Sequence, residues 1–231
     1  SAPLYISLGY AYERTGQEEE AKKAYQWALN SARQLGRDTF PAREALLNIM
    51  AELEEWQLLI PLLEDALSDR PSHAYFWYLL AEAYRFTDRP DDALEAADRA
   101  IALDTRRWVY FSARSLILLG KGEFYRALAD LDEVVRGADS YAWGWHRRGI
   151  CLNRLGRHRQ AMACFELAIG LNLKYAETAL ELVKAACECD EYNQAQRGAA
   201  LYSELNGDPQ KIAPWLSRMS RMVPKEKGSR G

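Results

Sequence analysis

The sequence has no hydrophobic run that approaches the roughly 18 apolar residues of a membrane-spanning helix. No basic and apolar leader is visible at its start, which reads Ser1-Ala2-Pro3. These two absences predict a protein without a signal peptide and without membrane insertion. Because the chain lacks an initial Met, we interpret it as a fragment or a processed chain. We therefore expect a cytoplasmic location, or a periplasmic one if a leader was removed.

Cysteine and histidine are scarce, with 4 Cys and 3 His among 231 residues. No two cysteines have the C-x-x-C spacing of a zinc site, and Cys187 and Cys189 point to different sides of a helix. We interpret the four cysteines as buried free thiols and expect no metal and no cofactor. No histidine belongs to a recognisable nucleophile motif, and Gly120-Lys121-Gly122 lacks the spacing of a phosphate loop. The sequence therefore predicts a protein that is not an enzyme.

The charge is distributed unevenly along the chain. The formal net charge is −3, yet residues 210–231 carry +5 and the residues before them carry −8. Nucleic-acid binding needs a basic surface, so an acidic body argues against nucleic acid as a ligand. We interpret the basic end as a solvated terminus with a disordered tail over residues 224–231.

A repeat of 34 residues is the dominant feature of the sequence. Small or branched residues recur at this interval in two series, Ala66, Ala100, Val134, Ala168 and Ala93, Ala127, Ala161, Ala195. An aromatic series follows the same interval at Trp77, Phe111 and Trp145. A period of this length is typical of stacked-repeat proteins, in which each unit is a small packing module.

The segment 142–175 shows how one unit is organised. Trp145 and Gly149 lie four residues apart on one face of a predicted first helix, and Gly156 ends that helix. Ala161 and Phe165 repeat the spacing on a predicted second helix. Small residues allow the two helices to approach closely, and large residues fill the space beside them.

This pattern, an aromatic residue, Gly or Ala, a turn Gly, and then Ala-x-x-x-Phe/Tyr, resembles the tetratricopeptide repeat. The resemblance implies an all-α fold, a right-handed α-α superhelix (solenoid) of about six helix-turn-helix repeats with a C-terminal capping helix. We place the repeats at 2–35, 40–73, 74–107, 108–141, 142–175 and 176–209, and the capping helix at about 210–222, within one domain over 1–223. Residues 36–39 interrupt the period, and Gly36 is predicted to end an extended second helix.

The resemblance also implies that the first helices line a concave groove. Its predicted lining residues are Tyr10, Asn48, Tyr75, Tyr78, Glu82, Arg85, Leu116, Trp143, His146, Ile150, Asn153 and Lys184. The cluster Tyr75, Tyr78, Trp143 and His146 is the leading candidate contact surface, because aromatic groups anchor peptides and helices well. The alternative is that some of these side chains pack between neighbouring repeats. A chaperone-type carboxylate clamp is not expected, because Asn48 alone occupies an expected position.

These features predict a non-catalytic protein–protein interaction scaffold or adaptor that binds a partner peptide or helix in the groove. Two alternatives stay open. The protein could be a self-assembling structural protein, with other copies of itself as partners. It could also be a regulatory or substrate-recognition domain of a larger enzyme or envelope export machine. The sequence identifies a class of partner, protein, and no particular one.

Overall fold

The computed structural model describes residues 1–222, so the predicted disordered tail at 224–231 lies outside the described residues. The described residues form thirteen helices and no strand. The helices are α1 (Ala2–Arg14), α2 (Glu18–Gln34), α3 (Phe40–Glu52), α4 (Trp56–Asp69), α5 (Ala74–Phe86), α6 (Pro90–Leu103), α7 (Trp108–Gly120), α8 (Phe124–Gly137), α9 (Ala142–Arg154), α10 (His158–Gly170), α11 (Ala176–Glu188), α12 (Tyr192–Glu204) and α13 (Pro209–Met222). The predicted all-α fold is confirmed.

The helices follow the repeat. The first helix of each pair begins at residue 2, 40, 74, 108, 142 or 176, the starts that the sequence predicts. The one slip falls where expected, because α2 has 17 residues and Gly36 follows it with φ of 58°. The chain forms two compact units, which we call unit 1 (residues 1–105) and unit 2 (from residue 106). That one domain spans 1–223 stays a prediction.

The two helices of a pair pack through a small residue and a large one. In unit 2, a Cβ atom on Gly149 would lie 2.5 Å from Cε1 of Phe165, whose side chain is fully buried. Gly9 and the fully buried Tyr25 make the same arrangement in unit 1. These positions are the eighth and twenty-fourth of their repeats. In these two repeats glycine is required at position eight, because the aromatic ring occupies the space of a Cβ atom.

The turn between the two helices of each pair has the same backbone shape. One residue there adopts positive φ, at Gly16, Glu54, Asp88, Gly122, Gly156 and Asp190. After the slip at 36–39 these positions follow each other every 34 residues. A left-handed residue after a helix lets backbone N–H groups bond the last free carbonyls, as Gly156 N does with Asn153 O at 3.1 Å. The repeat therefore includes the turn as well as the helices.

Glu54 is the residue least suited to this turn, because its φ of 56° places a Cβ atom against the following carbonyl. Glu54→Gly is expected to raise the free energy of unfolding by about 1 kcal/mol. Asp88→Gly is the matched control, and its gain is expected to be smaller because aspartate tolerates this conformation better. Urea unfolding followed by circular dichroism measures both. Equal gains, or a loss for Glu54→Gly, would contradict the assignment of strain to Glu54.

The capping helix forms as predicted. Helix α13 packs on α11 and α12, with Ile212 and Met219 buried and Trp215 half-buried. Leu216 lies next to Trp215 on this helix and is 45% exposed. As the last helix of the described chain, α13 lacks a following helix that would cover this edge of its apolar face.

The cysteines are free, and three of them, Cys151, Cys164 and Cys187, are buried, which confirms their predicted character. Cys189 is partly exposed. Burial raises the pKa of the Cys151 thiol to about 12, so this thiol stays protonated at neutral pH. Within residues 1–222, none of the helices combines the length and the apolar character needed to cross a membrane.

Candidate functional site

The first helices of unit 1 present tyrosine rings. Tyr10 on α1 is 52% exposed, and its ring meets the buried Tyr25 edge-on at 5.7 Å between centroids. Tyr75 and Tyr78 on α5 are half-buried, and their rings lie 5.8 Å apart. Half-exposed rings held against their neighbours are rigid contact groups, because little side-chain entropy is left to lose on binding. The structure thus brings together Tyr75 and Tyr78 of the predicted cluster.

Asn48 lies on α3, between these two helices in chain order, and is half-buried. Its Oδ1 atom is buried and accepts no hydrogen bond from the described residues. A buried acceptor without a donor costs about 1–3 kcal/mol.

Glu82 and Arg85 on α5 pair with each other. Their Oε2 and Nη2 atoms lie 2.6 Å apart, and the guanidinium group of Arg85 lies 4.0 Å from the ring centroid of Phe86. The Phe86 ring is stacked on Trp56 at 4.7 Å. The two charges therefore neutralise each other, and the pair offers hydrogen-bonding atoms beside an exposed aromatic stack without net charge.

In unit 2, Trp143 on α9 is 38% exposed and packs against Tyr175 at 5.0 Å between ring centroids. Leu116 on α7 and Ile150 on α9 are half-buried. Trp143 is thus the most exposed of the predicted contact residues of this unit. It is a large side chain with one face already supported by a neighbour, which is the form that anchor residues take.

His146 is not on an exposed surface, and this part of the prediction is wrong. Its side chain is 4% exposed, its Nδ1 atom lies 2.9 Å from Oγ1 of Thr178, and its ring meets Trp143 and Tyr175 edge-on. Burial lowers the pKa of His146 to about 4, although the carboxylate of Glu181 opposes this shift. The next first helix, α11, covers the position and supplies a hydrogen-bond partner. His146 is therefore a neutral packing residue.

Asn153 and Lys184 take part in a polar network. Asn153 Nδ2 donates to Glu181 Oε2 at 3.0 Å, and its Oδ1 atom lies 2.6 Å from Nδ1 of His158. Lys184 Nζ donates to the other oxygen of Glu181 at 2.6 Å. With Trp215 these residues line a pocket of about 190 Å³. Sequence reasoning missed Glu181, although its place three residues before Lys184 on one helix was a usable signal.

In unit 1, a groove larger than this pocket lies where α4, α5 and α6 meet. It has a volume of about 410 Å³, and its lining combines apolar and aromatic side chains with carboxylates. We call it the acidic groove; its lining residues are Glu64, Leu67, Ser68, Trp77, Leu80, Tyr84, Asp92, Glu95 and Ala96. Sequence reasoning missed it because Trp77 belongs to the aromatic series that was assigned to packing.

Within residues 1–222, no group of three or more His, Cys, Asp or Glu side chains is placed to hold a metal ion. Burial raises the pKa of Cys164 and Cys187 as well as that of Cys151, which disfavours a thiolate nucleophile. What the described surfaces offer is aromatic area, paired charges and a buried acceptor, the components of a contact surface.

Fold and surfaces together define a helical-repeat protein. Two family models match the sequence: residues 14–103 match the bacterial transcriptional activator domain, and residues 144–182 match the tetratricopeptide repeat. The tetratricopeptide-type repeats that the sequence pattern predicts are confirmed by the match at 144–182 and by the fold.

Solved structures of tetratricopeptide type share the fold. PilF of Pseudomonas aeruginosa is 17% identical with a TM-score of 0.78, over 94% of this chain and 96% of that one. YrrB, described as a TPR protein with an unusual peptide-binding site, is 15% identical with a TM-score of 0.72, over 85% of this chain and 99% of that one. MamA is 16% identical with a TM-score of 0.64, over 73% of this chain and 97% of that one. At these identities the likeness concerns the fold alone.

Proposed function

We propose that the protein is a non-catalytic interaction scaffold whose first helices bind a segment of a protein partner. The observation that carries this proposal is the face of unit 1 around Tyr10, Asn48, Tyr75 and Tyr78. It combines half-exposed tyrosine rings with a buried acceptor, Asn48 Oδ1, that no described residue satisfies. The description of YrrB as a peptide-binding TPR protein supports the same class of ligand.

The chemistry of this face favours an extended or helical peptide over a small molecule. Tyrosine rings supply contact area at low entropic cost, and their hydroxyl groups tolerate a polar surrounding. The half-buried amide of Asn48 adds a polar group to this face. The internally paired Glu82 and Arg85 add no net charge, so we expect binding to depend weakly on salt.

A photo-crosslinking experiment tests the location of the surface. A benzophenone amino acid placed at position 78 is expected to form crosslinks to one partner from the native organism, identified by mass spectrometry. The matched control is the same group at Tyr125, which is 70% exposed on α8. Tyr78→Ala together with Asn48→Ala is expected to weaken capture by about tenfold or more, the range of a contact hot spot. Equal crosslinking at both positions would contradict the proposal.

A second candidate function rests on the match to the bacterial transcriptional activator domain. This match spans residues 14–103, which lie within unit 1. In this alternative, unit 1 is a regulatory domain that passes a signal to transcription through protein contacts. The crosslinked partner distinguishes the two functions: RNA polymerase or a DNA-binding regulator favours the second. If the crosslinked partner is another copy of this chain, self-assembly replaces both.

A further inference from the structure

The acidic groove of unit 1 has a counterpart in unit 2, and the two differ in one decisive residue. The repeat places Glu64, Trp77, Leu80 and Ala96 at positions that return 68 residues later, two repeats on. Their counterparts are Asp132, Trp145, Arg148 and Cys164. The acid and the indole recur, whereas Leu80 is replaced by Arg148.

In unit 2 the side chain of Arg148 occupies this groove. Its Nε donates to Asp132 Oδ1 at 2.8 Å, its Nη1 lies 3.0 Å from Sγ of Cys164, and its guanidinium carbon lies 5.8 Å from the ring centroid of Trp145. An acid, a polarisable sulfur and an aromatic ring therefore surround one guanidinium group. The protein itself shows which side chain fits between these helices.

In unit 1 the same position holds Leu80, which is buried and too short to cross the groove, and about 410 Å³ stays open there. Trp77 keeps the orientation of its counterpart, since its Nε1 donates to Pro71 O at 2.8 Å as Trp145 Nε1 donates to Asp139 O at 2.7 Å. The indole platform is thus held in place by the backbone whether or not an arginine lies beside it.

The open groove carries negative charge. Arg89 pairs with Asp92 at 2.7 Å, and Tyr84 donates its hydroxyl hydrogen to Glu64 at 2.6 Å. In the described part of the chain Glu64 and Glu95 form no ion pair, so two carboxylates are left to attract a cation. Tyr84 stays a neutral donor, because burial raises its pKa to about 12.

A third copy of the groove provides a contrast. Between α10, α11 and α12, Leu182 stands where Leu80 stands in unit 1, and a groove of about 470 Å³ is again open. Its lining, however, includes Arg197 at the position of Glu95, beside Glu166. This groove already carries a positive charge of its own, so it does not attract a cation as the acidic groove does.

We infer that the acidic groove of unit 1 binds an arginine side chain of a protein partner, with the guanidinium group at Glu64 and beside the Trp77 indole, as Arg148 lies at Asp132 and Trp145. This site is separate from the tyrosine face of the first helices, so the protein holds two partner segments or two parts of one. Arginine is favoured over lysine because its planar group bonds a carboxylate and lies against an aromatic ring at the same time.

The test uses the peptide acetyl-Ala-Arg-Ala-amide and its citrulline analogue, which is nearly identical in shape but uncharged. Both are titrated into the 15N-labelled protein, and the indole N–H signals are assigned by Trp77→Phe and Trp145→Phe. The Trp77 signal is expected to shift with the arginine peptide, and the citrulline peptide is expected to bind about tenfold more weakly because charge-assisted hydrogen bonds are lost. The Trp145 signal is the internal control and is expected to stay in place.

Two variants are expected to exchange the responses of the two grooves to the arginine peptide. Leu80→Arg places the missing guanidinium group inside the acidic groove and is expected to abolish the Trp77 shift. Arg148→Leu opens the groove of unit 2 and is expected to make Trp145 respond to the arginine peptide. If Leu80→Arg does not fold, Glu64→Gln with Glu95→Gln removes the charge at the surface and is expected to weaken binding about tenfold or more.

The inference is overturned if arginine and citrulline peptides shift Trp77 equally, because the groove would then select shape alone. It is also overturned if Trp77 does not respond, or if the Glu64 and Glu95 variant binds as well as the wild type. These outcomes do not affect the proposed binding at the tyrosine face (Tyr10, Asn48, Tyr75 and Tyr78), since none of the altered residues belongs to it.

Discussion

Phe165→Ala is expected to lower the free energy of unfolding by about 3–5 kcal/mol, the usual cost of removing a fully buried aromatic side chain. The ring of Phe165 is 0% exposed and lies over Gly149, at a distance that leaves no room for a Cβ atom. The substitution leaves a cavity that the two helices cannot close without moving. Urea unfolding with fluorescence and circular dichroism measures the effect and reveals whether unit 2 unfolds in one step.

Gly149→Ala gives the matched test of this packing. Alone it is expected to cost about 1–3 kcal/mol, because its Cβ atom meets the Phe165 ring. In the Phe165→Ala background the clash is gone, and alanine stabilises a helix over glycine by about 1 kcal/mol. The same substitution is thus expected to change sign between the two backgrounds. Additive effects would show that Gly149 and Phe165 do not form a packing pair.

The stability of unit 2 is expected to fall as pH drops from about 6.5 to about 4, with His146 contributing about 3 kcal/mol. In the folded protein burial lowers the pKa of His146 from 6.5 to about 4. Between these values the unfolded chain binds a proton that the folded chain does not, so acid favours unfolding. Above pH 6.5 both states are neutral at this residue and the contribution vanishes.

His146→Phe isolates this contribution, because the ring stays and the proton site is lost. The difference in unfolding free energy between wild type and variant is measured from pH 7 to pH 4, so that carboxylates, which titrate in both proteins, cancel. Thr178→Val is the control: it removes the hydrogen bond to Nδ1 and is expected to lower stability with little change in its pH slope. A difference that does not vary with pH would refute a buried neutral histidine.

The helix boundaries were predictable because packing constrains the sequence at every repeat. Ala161 is fully buried where two helices meet, and Gly156 has the positive φ at which the first helix ends, so the spacing of such residues indicates the fold. For the face of a first helix, the repeat predicts which positions lie on it, but it does not predict how exposed each side chain is. His146 shares its position in the repeat with Tyr78, yet His146 is covered and Tyr78 is half-exposed. The difference arises from Tyr175, at the end of the same repeat, and from Thr178, in the next repeat, which cover His146.

The acidic groove could not be predicted, because it forms where no side chain fills the space between neighbouring helices. Leu80 and Arg148 both fit the pattern of a first helix, since a long polar side chain can extend its charged end to an acid. Only their surroundings show that Arg148 bridges to Asp132 while Leu80 leaves the groove empty. A repeat pattern shows which residues packing requires, but it does not show where cavities remain between them.

The packing of a small residue under a large one has a consequence for the evolution of this chain. At the same two positions of three repeats stand Gly9 with Tyr25, Leu47 with Leu63, and Gly149 with Phe165. An aromatic ring at the second position leaves room only for glycine at the first, so a change at one position calls for a compensating change at its partner. An alignment of relatives is therefore expected to show covariation of side-chain volume at these two positions, with ancestral exchanges occurring in pairs.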